Sequence, residues 1–371
     1  MLELSRSINN EKIKTYYDNE SNQHPVNTLN HWIKAFNNSR RSAVSVDALS
    51  FSNNYDPNHA IEEFYYHLSS RQGLELIIPR YPNRRELLSF SMLDDSDLLI
   101  RGGSAHGVFF VQGNTQEVRS GKIKKSKIDL AVKQFSDPQK AMREFLITLV
   151  VRQRMIDFVK YLKNYGEVSI NGCLFTPIQP IALFVDKKQG YLLTRANRMI
   201  TSLDQEPWSQ YWSATDEDKK RIQNRFAKIS MLLANLHSNG IFHGDAQIKN
   251  FVVSPHGFVG AIDWEAAYLA PVDFVEIPSD ILIGKATSDL QIFYKSISED
   301  DKNLSRLELI TGSQEQKWEL FSNLVIDPYM TQWLEISEKH NSHGSKSEAL
   351  FNWENFYEQL QKELKRYITA K

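Results

Sequence analysis

The sequence predicts an α+β chain in which a strand-rich half precedes a helix-rich half, and three observations carry that expectation. Short runs rich in β-branched and aromatic residues, broken by glycines, fill residues 97–135 and return in "LFTPIQPIALFVD" and "GYLLTRA". Beyond them the apolar residues take helical spacing, as in "DEDKKRIQNRFAKISMLLANLHSNG" and "WENFYEQLQKELKRYITAK". The 371 residues suffice for two domains, or for one bilobal body with an extension.

Taken in order, residues 1–30 are polar and aperiodic and read as a loosely held arm. "NHWIKAFNN", "DPNHAIEEFYYHLSSRQ" and "LELIIPRYP" suggest short helices and a strand, with Asp56 and Pro57 as a helix start, so residues 1–95 form an extension. "DLLIRGG", "HGVFFVQG" and "IDLAVKQF" read as an antiparallel hairpin and a third strand, joined through the polar stretch "NTQEVRSGKIKKSK". "DPQKAMREFLITLVVRQRMIDFVKYL" opens on an Asp-Pro cap and continues as a long helix, and two more strands complete a lobe over 96–195. Residues 196–371 are mostly helical, including a helix over "TSDLQIFYKSI", and the aromatic residues Trp318, Trp333, Trp353 and Phe356 suit docked C-terminal helices. No internal repeat or low-complexity tract interrupts this order.

Bulk properties narrow the function. Lys plus Arg number 44 against 45 Asp plus Glu, which gives a nucleic-acid binder no support; the basic run "KIKKSK" at 122–127 reads as a solvated loop. One cysteine, Cys173, rules out an intramolecular disulfide and suits a reducing, cytoplasmic setting. The longest dense apolar run, "FLITLVV" at 145–151, is far below the roughly 20 residues of a membrane span, so no membrane partner is expected.

The chemistry concentrates around "IFHGDAQIKNF", where His243, Asp245 and Asn250 stand between apolar flanks. Downstream, the apolar strand of "FVGAIDWEAA" ends at Asp263. An acid at a strand end, beside another acid and an amide, is a donor set for a magnesium-bound triphosphate. Upstream, Lys133 ends an Ala-Val-Lys strand, and Glu144 is the first acid within the helix that follows. A lysine so placed reaches the α and β phosphates while the helix carboxylate holds it. In "RGGSAHGVFF", Gly102, Gly103, Ser104 and Gly107 sit in a hairpin turn where backbone N–H groups can approach phosphate oxygens.

Hairpin glycines, strand lysine, helix glutamate, His-x-Asp-x4-Asn and strand-end aspartate, in this order over about residues 97–295, closely resemble the protein-kinase-like superfamily. The resemblance implies a bilobal fold, a β-rich N-lobe with one long helix and a mainly helical C-lobe, with ATP and Mg2+ as cofactors. It implies that Gly102, Gly103, Ser104 and Gly107 cover the nucleotide, with Ser104 at the second glycine position and Phe109 where a valine is usual. Lys133 resembles the phosphate-binding lysine and Glu144 its partner; Asp245 resembles the catalytic aspartate, and Asn250 and Asp263 the metal ligands. His243 reads as structural. Asp289 reads either as a buried anchor of the catalytic loop or as an exposed acid near a helix start.

Two departures bear on the acceptor. Gly244 stands where regulated protein kinases carry an arginine that pairs with a phosphorylated loop, and Asp-Trp-Glu replaces Asp-Phe-Gly, so activation by loop phosphorylation is not expected. His-Gly-Asp and Ile-Asp-Trp-Glu are also the wording of the aminoglycoside and choline phosphotransferase branch. Against this, the stretch from the hinge near Arg195 to His243 has room for a linker and one helix, with little left for an acceptor-binding insertion. The sequence therefore favours an atypical serine/threonine kinase acting on a protein substrate, followed by a kinase of a small-molecule hydroxyl, and then by a catalytically silent binding module.

Overall fold

The computed structural model describes residues 25–39, 43–52, 54, 56–69, 75–80, 86–92, 98–99, 108–119, 122–164, 179–185, 188–196, 201–206, 208, 210–254, 256–270, 277–298, 309–342 and 353–370. They fall into two compact units, one of residues 1–51, 61–149 and 178–198, the other of 52–60, 150–177 and 199–371. A strand-rich unit and a helical one make up the expected bilobal α+β fold.

The chain opens with α1 (Pro25–Ser39), β1 (Val44–Asp47), α2 (Ala48–Ser52), α3 (Pro57–Ser69), β2 (Glu75–Arg80), β3 (Glu86–Phe90) and β4 (Leu98–Leu99). There follow β5 (Val108–Arg119), β6 (Lys122–Phe135), α4 (Pro138–Asn164), β7 (Gln179–Val185) and β8 (Gly190–Ala196). The strands form one sheet in the order β1-β2-β7-β8-β6-β5-β3, with β4 also on β5. The pairing of β1 with β2 is parallel, and the other pairings are antiparallel. Helix α1 thus begins inside the stretch read as a loose arm, and three strands of the extension, β1, β2 and β3, extend the sheet that carries Lys133.

Period-2 alternation sets which face of β6 does what. Ile128, Leu130 and Val132 are buried in one cluster with Trp32, Ile33 and Phe36 of α1 and with Phe184 and Tyr191 of β7 and β8. The Trp32 ring lies 4.9 Å from Phe184 and 5.0 Å from Tyr191. Lys133, one residue out of that phase, belongs to the opposite face.

The polar stretch 114–127 differs from its expectation as a loop. Residues 122–127 are the first half of β6, and β5 pairs with β6 continuously from Val108↔Lys133 to Arg119↔Lys122. The pairing holds along its whole length in spite of low apolar content. Lys122, Lys125 and Lys127 remain exposed.

Helix α4 starts where Asp137 caps it: the Gln139 N–H donates to Asp137 Oδ1 at 2.8 Å. In the second unit β9 (Thr201–Ser202) precedes α5 (Asp216–His237), β10 (Ile241–Phe242), β11 (Phe251–Val253), β12 (Val259–Ala261) and β13 (Tyr268–Leu269). Then come α6 (Ser279–Ser298), α7 (Gln314–Phe321), a π-helical turn (Ser322–Ile326), α8 (Asp327–Ser342) and α9 (Trp353–Thr369). The Thr215 side chain accepts from the Asp218 N–H at the start of α5, and three acids in the first turn complement the helix dipole. The one-helix expectation between the hinge and His243 matches α5. Trp333 is fully buried, 5.5 Å from the ring of Phe356 on α9.

Two short sheets, β12-β11-β9 and β10-β13, frame the loop between β10 and β11. Buried Arg154 props this region from α4, donating to the carbonyls of Asn239 (3.2 Å), Gly240 (3.4 Å) and Ala270 (2.8 Å). Burial pushes its guanidinium down to about 10, so it keeps its charge at neutral pH.

Candidate active site

The loop that carries Asp245 is built from a glycine and a buried carboxylate. Gly244 has φ +75°, and a Cβ there would lie 2.1 Å from the carbonyl oxygen of Ala266. No side chain fits, which accounts in steric terms for the missing arginine. The chain reversal turns the N–H groups of His243 and Gly244 onto Asp289, at 2.7 Å to Oδ2 and 2.8 Å to Oδ1.

Asp289 is therefore the buried anchor, 1 % exposed, and not a surface acid. Helix α6 begins at Ser279, earlier than "TSDLQIFYKSI" suggested, so Asp289 lies mid-helix on the stripe that buries Leu282, Ala286, Leu290 and Phe293. Gly284 inside the helix weakens the local signal for that earlier start. His237 Nε2 donates to Asp289 at 3.0 Å, and the Tyr329 hydroxyl donates to His237 Nδ1 at 2.8 Å. Burial by itself raises the Asp289 carboxyl, but His237 and then His243 outweigh it and hold the group below its ordinary range. Burial pushes the Tyr329 hydroxyl well above its usual value, so it stays a donor.

His243 is structural. Its Nε2 donates to the Ile262 carbonyl at 2.9 Å and its Nδ1 accepts from the Asp245 N–H at 3.3 Å, so backbone groups occupy both ring nitrogens. The ring packs 4.8 Å from Trp264.

Asp245 is half-buried. Asn250 Nδ2 donates to Asp245 Oδ2 at 2.9 Å and to the Asp245 carbonyl at 2.8 Å. The Ile262 N–H bonds to the Asn250 carbonyl at 2.9 Å, which brings the residue before Asp263 against Asn250. Asp263 has φ +66°, the one positive φ at a non-glycine among the described residues. Strain of this kind persists where surrounding structure enforces it, commonly at functional sites. With its NH2 on Asp245, Asn250 presents Oδ1 elsewhere; Oδ1 and the Asp263 carboxylate are hard oxygen donors of the type magnesium takes. The donor chemistry fits that ion.

In the first unit, Lys133 Nζ and Glu144 Oε2 form an ion pair at 2.6 Å, with side chains 25 % and 7 % exposed. Lys133 Nζ also lies 4.9 Å from the centre of the Phe135 ring. The eleven-residue separation carries the chain from β6 through nearly two turns of α4, enough to bring the two groups together. Gly102, Gly103, Ser104 and Gly107 lie outside the described residues.

The sequence reading gave no role to Gln247, His237 or Tyr329. A buried His at the end of α5, 52 residues before the acid it bonds, has no local signature, and a loop glutamine looks like any solvated one.

Among the described residues no helix is long and apolar enough to cross a membrane. No curated protein matches the chain. A family model does: residues 189–274, from the start of β8 past β13 and so including Asp245, Asn250 and Asp263, match the phosphotransferase enzyme family, in keeping with the protein-kinase-like resemblance of the motifs.

Proposed function

We propose that the chain is an ATP- and magnesium-dependent phosphotransferase whose acceptor is a protein hydroxyl, in the manner of an atypical serine/threonine kinase. The observation that carries the phosphotransfer reading is the Asp245 loop. A half-buried carboxylate is held by the Asn250 amide on a backbone fixed by Asp289, with a second acid, Asp263, brought alongside through the Ile262 to Asn250 bond.

In this reading Asp245 accepts the proton of the acceptor hydroxyl as its oxygen bonds to the γ-phosphorus. The bond from that phosphorus to the β–γ bridging oxygen breaks, and ADP leaves with the electron pair. Lys133, steadied by Glu144, holds the α and β phosphates, and Asn250 and Asp263 hold magnesium, which when bound supplies charge neutralisation at the β and γ phosphates. Positioning and electrostatics do the rest. The protein acceptor is favoured by α5 being the one α-helix between β8 and the His243 loop among the described residues. The second reading, a small-molecule hydroxyl, is favoured by the His-Gly-Asp and Asp-Trp-Glu spelling within the family match.

The test is incubation with magnesium and γ-labelled ATP beside an Asp245→Asn control. Asp245-dependent label on serine or threonine supports the protein acceptor. ADP release that needs Asp245 but labels no protein favours the small molecule, and turnover undiminished in Asp245→Asn removes the catalytic assignment.

A further inference from the structure

Each oxygen of the Asp245 carboxylate has an amide of its own. Asn250 Nδ2 takes Oδ2 at 2.9 Å, and Gln247 Nε2 takes Oδ1 at 2.6 Å. The backbone of Gln247 is spoken for separately: its N–H bonds to the Asp245 carbonyl at 2.8 Å, and its carbonyl accepts from the Asn250 N–H at 2.9 Å. The side chain is thus dispensable for the turn that it rides on.

The other end of the Gln247 amide explains what the side chain is for. Gln247 Oε1 is buried with no hydrogen-bond partner among the described residues. A buried acceptor in that state is unfavourable, and half a rotation of the amide would give its place to the NH2. That rotation would set Oε1 against Asp245 Oδ1, two acceptors facing each other. The observed orientation is the one that gives Asp245 Oδ1 a donor.

We propose that Gln247 is a positioning residue for phosphoryl transfer: with Asn250 it clamps the Asp245 carboxylate in one rotamer, with its remaining lone pairs turned to the acceptor hydroxyl. This rests on the phosphotransfer reading of Asp245. The clamp is neutral, so it orients the base without pairing it to a cation that would compete for the same oxygens. A carboxylate released on one side swings about χ2, and loss of near-attack geometry costs rate and not nucleotide affinity.

The experiment measures magnesium-dependent ADP formation and label transfer for wild type, Gln247→Met and Asp245→Asn, and for the double variant, with melting curves for each. Gln247→Met, similar in length but without a donor, is expected to lower kcat by about 10- to 100-fold with KM for ATP within about twofold. In the Asp245→Asn background the same change is expected to remove nothing further, because the clamp acts through the carboxylate. A wild-type rate in Gln247→Met overturns the proposal, and so does an equal loss in both backgrounds, the mark of a purely structural side chain. Should Gln247→Met fail to fold, Gln247→Asn, which keeps the amide but falls short of Asp245, gives the same comparison. Wild-type turnover that survives Asp245→Asn sinks the underlying reading; turnover that needs Asp245 but ignores Gln247 sinks the clamp alone.

Discussion

At His243 and Gly244 the backbone turns two adjacent N–H groups inward, and the carboxylate of Asp289 receives both while also accepting from His237. Three donors on one buried acid make its charge part of the loop's structure. The pKa of Asp289 is lowered in the folded protein, so its contribution is complete above the ordinary carboxyl value and disappears as pH falls through the lower folded value. Urea unfolding followed on acidification below about pH 4 is expected to show this loss. In Asp289→Asn it is expected to be absent, with stability at pH 7 reduced by about 3–5 kcal/mol, as for a broken buried pair. How legible these residues were differs for physical reasons. The triplet around Asp245 falls within eight residues and could be read directly. Asp289 stayed ambiguous because an acid on an apolar stripe and an acid at a helix start look alike until the helix boundary is known. The Gln247 contact is a matter of side-chain rotamer, which no spacing encodes.

Elements explain why Lys133 is held where it is. Strand β6 buries Ile128, Leu130 and Val132 with residues of α1 and leaves Lys133 on the other face, while the second turn of α4, a helix capped by Asp137, delivers Glu144. Replacing Glu144 by Gln keeps the shape and removes the charge, so the effect is expected on the lysine's position: about a tenfold or larger fall in kcat/KM in steady-state ATP turnover, with the melting temperature lowered as well because the Glu144 side chain is only 7 % exposed. Full activity in Glu144→Gln would show that another group steadies Lys133. The order strand lysine, then helix glutamate was readable because both elements carry clear periodicity. The continuous β5–β6 hairpin was not, since exposed lysines leave no alternation of apolar and polar residues, and register there rests on cross-strand pairing.

On the scale of the whole molecule, the change from strands to helices near residue 196 was legible because it is written in the period of the apolar residues. The membership of β1 and β2 in the large sheet was hidden: parallel pairing such as Val44↔Ile77 joins segments separated by two helices, and nothing local specifies it. The same early segment supplies Asn58, whose Nδ2 donates to the Leu269 carbonyl at 2.7 Å and whose Oδ1 accepts from the Leu269 N–H at 3.2 Å. One side-chain amide thereby imitates the peptide group of a neighbouring strand along β13. In Asn58→Ala light scattering is expected to report self-association at concentrations where the parent protein stays monodisperse, while ATP turnover measured on dilute enzyme is retained. Such an amide works as a plug: it closes a two-stranded ribbon that would otherwise offer its outer rim to another copy of the chain.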